Sequence, residues 1–147
     1  MKVGRLCKHQ PVTTSATTDL VAAAELMRKE HIGYIIVVDL DPPKPVGVLT
    51  DRDIVVSVVA KGADPKALRV GDVMSAQPVT VNTQESVRNA LQTMRRMGIR
   101  RVPVVGAQGE LVGVLALDDV LDEIAREMAD VTGTMQNEQR IEHVLRL

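Results

Sequence analysis

The chain has almost no aromatic residues: Tyr34 is its single aromatic side chain among 147 residues, with neither phenylalanine nor tryptophan present. Proteins that bind single-stranded nucleic acid stack its bases on aromatic side chains, so this deficit disfavours that function. The net charge of −1 also lacks the positive excess that attracts a polyanion. We therefore expect no nucleic-acid partner.

Cysteine and long apolar runs are also scarce. The single cysteine, Cys7, excludes a disulfide within the chain and suits a reducing compartment. We expect it to be a small buried residue, because no repeated Cys/His spacing indicates a metal site. No apolar run approaches the roughly 20 residues of a membrane-spanning helix, and residues 1–6 lack the apolar core of a secretory signal. These absences predict a cytoplasmic protein with no metal site and no membrane partner.

The clearest positive feature is an internal repeat at an offset of 67 residues, from Val3 to Val70, which drops to 66 after a one-residue loop difference. The matched segments are Val3-Gly4 with Val70-Gly71, residues 10–13 with 77–80, residues 46–49 with 112–115, and Asp53 with Asp119. Such self-similarity indicates two copies of one supersecondary unit that bury their apolar faces together.

Each copy is predicted to have the element order βαββα. The first has a strand at 12–14, a helix over about 18–30, strands at 35–38 and 46–49, and a helix from Thr50; prolines make 41–45 an irregular loop. The second has a strand at 79–81, a helix over about 85–97, strands at 102–105 and 111–115, and a last helix. We expect an α/β (α+β) fold in which the repeats pack as a pseudo-two-fold pair, each a small three-stranded sheet with two helices.

The repeat also sets the expected domain boundaries. Residues 1–62 form the first domain, 63–129 the second, and 130–147 a tail or short helix. Within that last segment the spacing of Ile141, Val144 and Leu145 allows one or two amphipathic turns. A frayed end and a helix docked on a partner chain both remain open.

One candidate binding motif is a strand that runs directly into the start of a helix. Its sequence is Gly47-Val48-Leu49-Thr50-Asp51-Arg52-Asp53. Thr50 as N-cap and Asp53 at the third helical position match a capping box with a shortened acid, which needs no ligand. That purely structural explanation stays open. A second explanation is that the motif binds a ligand, and it is favoured because the surroundings of this motif occur twice.

Together with Gly98-Ile99-Arg100-Arg101-Val102-Pro103-Val104-Val105, these features resemble a tandem pair of CBS (cystathionine β-synthase) domains, a Bateman module, over roughly residues 3–128. The resemblance implies a free-standing sensor, because the family's Gly-h-h-Thr/Ser-x-x-Asp stretch (h is apolar) binds the ribose of an adenosyl ligand. AMP is the ligand we expect first, and ATP, ADP, NAD and S-adenosylmethionine share its ribose contacts. The resemblance also implies a homodimer and a regulated protein that the sequence does not name.

Carried over residue by residue, the family pattern places the ribose on Thr50 and Asp53 and the base against Val48 and Val79. A carboxylate can accept hydrogen bonds from both ribose hydroxyls, and a threonine hydroxyl can donate or accept nearby. Arg100 and Arg101 stand where some relatives hold phosphate with His-Arg, and two guanidinium groups suit a phosphate dianion. A solvated strand edge is the alternative for this arginine pair.

The second repeat departs from the pattern. Ala116 replaces the threonine, although Asp119 is retained, and Gly33-Tyr34 stand in place of the arginine pair. The second cleft then lacks obvious phosphate ligands, unless His31 or Lys8 reaches into it. We expect the Asp119 site to be weaker, empty or suited to a ligand with less phosphate.

Three functions are open at this point: a sensor that changes its partner contacts when it binds an adenosyl ligand, a constitutive adaptor dimer with a degenerate pocket, and an enzyme. We expect no enzyme, because the acidic pairs 51/53 and 118/119 point in different directions on a helix and no nucleophile–base constellation is evident. The expected dimer surfaces are Ile54, Val55, Val58 and Val59, and Val120, Leu121, Ile124 and Met128.

Overall fold

The computed structural model describes residues 1–146. Its helices are α1 Val3–Leu6, α2 Leu20–Glu30, α3 Asp51–Ile54, α4 Val70–Val73, α5 Val87–Met97 and α6 Leu117–Leu145. Its strands are β1 Lys8–His9, β2 Thr13–Thr14, β3 Tyr34–Asp39, β4 Lys44–Thr50, β5 Ser75–Ala76, β6 Val81–Asn82, β7 Arg101–Val105 and β8 Leu111–Ala116. A π-helix, Val55–Val59, continues α3, and Pro65–Ala67 form a 3₁₀ turn. The predicted mixed α/β fold with one small sheet per repeat is confirmed.

The two sheets are larger than predicted because the repeats exchange strands. Their orders are β2-β3-β4-β5 and β6-β7-β8-β1, so each three-stranded sheet gains a short antiparallel strand from the other repeat. Within each sheet the first strand runs parallel to its neighbour and the others are antiparallel. The exchanged strands satisfy the backbone groups at an edge that would otherwise be open.

The glycine of the strand–helix motif makes this exchange possible. A Cβ on Gly47 would lie 2.6 Å from the sulfur of Met74 and 3.0 Å from the carbonyl oxygen of Ser75, where β5 pairs antiparallel with β4. Its counterpart Gly113 meets the carbonyl of Lys8 on β1 in the same way. Glycine at this position therefore has a structural cause that is independent of any ligand.

Two apolar cores lie one in each half of the molecule. The first contains Leu20, Ala23, Met27, Ile35, Val37, Leu49, Val58 and Val70. The second contains Val3, Cys7, Val81, Ala90, Met94, Val102, Val104, Leu115 and Val120. Each core thus includes residues from the start of the other repeat, which follows from the strand exchange. Cys7 is buried as expected, and this burial raises the pKa of its thiol.

Two local predictions need correction. The predicted irregular loop over 41–45 is shorter, because Lys44 and Pro45 already belong to β4. A register shift between Val37 and Val38 creates a bulge opposite them, and a bulge tolerates a proline that cannot donate a ladder hydrogen bond. Val58 and Val120, expected on dimer surfaces, are buried in the two cores instead.

The last helix, α6, runs unbroken for 29 residues, which corresponds to a length of ~43 Å at the standard rise. Every residue from 124 to 146 is exposed, so this part of α6 has no packing support from its own chain. The structure thus has a continuous helix across the expected boundary at 129/130; the domain boundaries themselves stay predictions. Among residues 1–146, no helix combines the length and apolar character needed to cross a membrane.

Candidate ligand-binding clefts

A cleft of about 710 Å³ lies between the two repeats and is called cleft 1 here. Six of the seven candidate residues line it: Val48, Thr50, Asp53, Val79, Arg100 and Arg101. The first three come from the end of β4 and the start of α3, and the others from the second repeat. The seventh, Asp119, lies in a smaller cleft of about 370 Å³, cleft 2.

The floor of cleft 1 is the start of α3. The Thr50 N–H donates to Oδ2 of Asp53 at 2.9 Å, and the Asp53 N–H donates to Oγ1 of Thr50 at 3.1 Å. The expected capping box is therefore present. It engages one carboxylate oxygen of Asp53 and uses the Thr50 hydroxyl as an acceptor. Oδ1 of Asp53 and the hydroxyl hydrogen of Thr50 lie outside this pair, so a capping role and a ligand role are compatible.

The walls of cleft 1 are apolar. Val48 and Val79 are half-buried on opposite repeats, and Ile99 and Pro103 add apolar surface that the sequence analysis did not identify. Ile99 directly follows the left-handed Gly98 at the end of α5, which brings it to the cleft. Apolar walls beside a few polar groups are typical of a small-molecule site.

The two arginines of cleft 1 are held differently. Arg100 is exposed and makes an ion pair with Asp118 at 3.5 Å, an arrangement that contributes little at a surface. Arg101 places its guanidinium carbon 6.0 Å from the centre of the Tyr34 ring, within reach of a cation–π interaction. Both guanidinium groups line the cleft; Arg100 is already paired with a carboxylate, whereas Arg101 makes no ion pair among residues 1–146.

Tyr34 and Arg101 line both clefts. They are repeat counterparts, so their stacked pair lies where the two clefts adjoin. Burial raises the pKa of the Tyr34 phenol, and the positive charge of Arg101 opposes part of that rise. From the sequence, Arg101 was predicted as a site residue and Tyr34 was named at its matched position, but the contact between them was not predicted.

Cleft 2 is arranged differently around its carboxylate. Lys8 reaches in and places its Nζ 3.2 Å from Oδ1 of Asp119, while the Ala116 N–H donates to Oδ2 at 3.3 Å. Ala116 supplies no hydroxyl cap. His31 ends α2 in a left-handed conformation and also lines this cleft. No group of three or more His, Cys, Asp or Glu side chains suited to a metal occurs in the described part of the chain.

The model of the CBS domain family matches this chain twice, over residues 3–60 and 70–126. The chain belongs to the CBS domain family. It is 37% identical over 133 residues to the CBS domain-containing protein YhcV of Bacillus subtilis, covering 90% of this chain and 92% of that one. It is 34% identical over 121 residues to the uncharacterized protein MK0525 of Methanopyrus kandleri, covering 82% of this chain but only 61% of that protein.

Solved CBS-domain structures share the fold. The CBS domain protein PAE2072 from Pyrobaculum aerophilum, solved in complex with AMP, superposes with a TM-score of 0.74 and is 32% identical. The comparison covers 86% of this chain and 99% of that one. A tandem CBS pair is thus the established architecture of this chain, and at least one similar protein binds AMP.

Proposed function

We propose that this CBS pair binds an adenosyl ligand, with AMP as the first candidate, in cleft 1 and regulates a partner protein in response. The supporting observation is that one cleft between the repeats collects a carboxylate, a hydroxyl, two arginines and apolar walls. The complex of the similar protein PAE2072 with AMP supports the same ligand class. No catalytic step is part of this proposal.

In the proposed complex, the ribose hydroxyls donate to the free Oδ1 of Asp53, and the Thr50 hydroxyl donates to a ribose oxygen. The base lies between Val48 and Val79, and the phosphate faces Arg101. Charge-assisted hydrogen bonds to the carboxylate are the strongest of these contacts. Since Asp53 and Arg101 belong to different repeats, the ligand bridges both. Binding then favours the arrangement of repeats that holds these groups at ligand distance, which is a population shift.

The proposed sensor works as a homodimer, for which the exposed apolar helix surfaces provide contacts. On α6 five exposed residues form a stripe with spacings of three and four: Leu121, Ile124, Met128, Val131 and Met135. Alternation of three and four is the spacing of a helix–helix seam. A helix without packing support is marginal in water, so a second copy of α6 would stabilise it. Val55 and Val59 add a further exposed patch after α3.

A constitutive adaptor dimer is the second candidate. The observation that favours it is the capping box itself, since Thr50 and Asp53 satisfy each other without any ligand. This candidate predicts the same dimer but no affinity for adenosyl compounds.

Calorimetric titration of AMP, ATP, NAD and S-adenosylmethionine into wild type and Asp53→Ala separates the two candidates. We expect AMP to bind wild type and the substitution to abolish binding while circular dichroism stays native. Ser86→Ala is the matched control, because Ser86 lies outside the clefts and caps α5. Its Oγ accepts a hydrogen bond from the Asn89 N–H at 3.1 Å, and the substitution removes this cap. Absence of binding by all four compounds would favour the adaptor, and steady turnover of a nucleotide would contradict both candidates.

A further inference from the structure

The two clefts differ at a position that the nucleotide motif does not include. In cleft 1 the exchanged strand β5 places Ser75 opposite Val48 of β4. In cleft 2 the exchanged strand β1 places Lys8 opposite Val114 of β8, in the same register. Ser75 and Lys8 are therefore structural counterparts, and each lines its own cleft.

The difference between Ser75 and Lys8 changes how the carboxylate of each cleft is engaged. The side chain of Asp119 is only 10% exposed, and both of its oxygens are engaged: Oδ1 by Lys8 and Oδ2 by the Ala116 N–H. In cleft 1 the backbone N–H of Thr50 engages Oδ2 of Asp53, and the short Ser75 side chain brings no cation to Oδ1. The oxygen proposed to receive the ribose is therefore blocked in cleft 2 and accessible in cleft 1.

The cation on Asp119 is not easily exchanged for a sugar. Lys8 itself is 74% exposed, and fully exposed ion pairs are weak, but the carboxylate here is almost entirely shielded from water. Removing its cation would leave a poorly hydrated charge, for which ribose hydroxyls offer only neutral donors. Ala116 also lacks the hydroxyl that Thr50 could offer to the ribose, so a sugar in cleft 2 would make one hydrogen bond fewer.

We propose that Lys8 closes cleft 2 to adenosyl ligands, so that each chain binds one ligand, in cleft 1. Ser75 is the residue that leaves cleft 1 open. The inference rests on the proposed function, because it concerns which of two related clefts is used. It adds the exchanged strands to the Thr-x-x-Asp motif as determinants of which cleft binds the ligand.

The test is the molar ratio of AMP to chain, measured by calorimetry and equilibrium dialysis on full-length protein. We expect a ratio of one for wild type. Ser75→Lys, which introduces the cleft 2 lysine beside Asp53, should weaken AMP binding at least tenfold. Gln136→Lys, which adds the same charge on exposed α6, controls for net charge and should bind as wild type does. The double variant Lys8→Ser/Ala116→Thr should raise the ratio to two.

Three results would overturn the inference: a ratio of two in wild type, wild-type affinity in Ser75→Lys, or a ratio of one in the folded double variant. Ser75 lies on an exposed strand, so Ser75→Lys is expected to fold and decides the question even if the double variant does not. Failure of wild type to bind AMP at all is a separate outcome. It would refute the proposed function and the inference with it.

Discussion

Replacing Asp53 by asparagine separates the two roles assigned to this side chain at the start of α3. Asparagine has the same shape, and its carbonyl oxygen can still accept the Thr50 N–H that now lies 2.9 Å from Oδ2. The capping box therefore survives. The negative charge, which is proposed to receive the ribose hydroxyls, is lost.

The substitution should change the free energy of unfolding less than the free energy of AMP binding. Loss of the cap would cost about 1 kcal/mol of stability, but Asp53→Asn keeps it and loses only the favourable interaction of an acid with the helix dipole, about 0.3–1 kcal/mol. A hydrogen bond to a charged group contributes about 1.5–3 kcal/mol, compared with roughly 1 kcal/mol for a neutral pair. Across two ribose hydroxyls the loss of charge then costs about 1–4 kcal/mol of binding free energy, or roughly a 5- to 1,000-fold rise in Kd for AMP.

Urea unfolding without ligand measures the first effect, and calorimetric titration of AMP measures the second. We expect the free energy of unfolding of Asp53→Asn to fall by less than about 1 kcal/mol while its Kd rises by the larger factor. Thr50→Ser, which keeps a hydroxyl in both roles, is the matched control and should change neither quantity greatly. Unchanged affinity in Asp53→Asn would refute the ribose role and leave this carboxylate as a helix cap.

Three further predictions concern Gly47 at the pairing of β4 with β5, the buried phenol of Tyr34 and the exposed helix α6. Gly47→Ala should lower the free energy of urea unfolding by about 1–3 kcal/mol, because its Cβ meets Met74 and Ser75 at the start of β5. In the control Gly133→Ala the new Cβ has nothing within 4 Å, so the substitution should not destabilise the protein and should stabilise α6 by up to about 1 kcal/mol. Burial raises the pKa of the Tyr34 phenol, so its contribution to stability is complete below the unfolded pKa of about 10 and is lost as pH rises from there toward the higher folded pKa. The melting temperature should be lower at about pH 11 than at about pH 9, and this difference should be smaller in Tyr34→Leu. Met135→Glu should convert a dimer to a monomer in light scattering, whereas Gln136→Glu, off the stripe, should not.

The fold was predictable to the extent that its elements carry periodic signals. The 11-residue helices α2 and α5 and the long strands β3 and β4 gave repeated apolar patterns, and their predicted bounds differ from the observed ones by about two residues. The exchanged strands β1 and β5 have two residues each, too few for any alternation to be recognised. The four-stranded sheets were missed for that reason.

The site was predictable where its residues are close in sequence. Thr50 and Asp53 are held together by local hydrogen bonds within one turn, so their proximity follows from the motif alone. The contact between Lys8 and Asp119 joins residues 111 positions apart and depends on the strand exchange. Lys8 was named from the sequence as a residue that could reach into this cleft, but its contact with Asp119 could not be deduced without that exchange.

The route from the proposed ligand site to the proposed dimer surface is short because both lie on one element. Asp53 stands in the first turn of α3, and the π-helix that continues α3 exposes Val55 and Val59, at 57% and 68% of their surfaces. Single π-helical turns within helices occur often at functional sites. A ligand that pulls on the Asp53 carboxylate acts on the backbone that carries these valines, without a chain of intervening contacts. On α6 the matched residues Asp119 and Leu121 lie in a regular α-helix, and there Lys8 already holds the carboxylate. Adenosyl binding should therefore alter the α3 surface first.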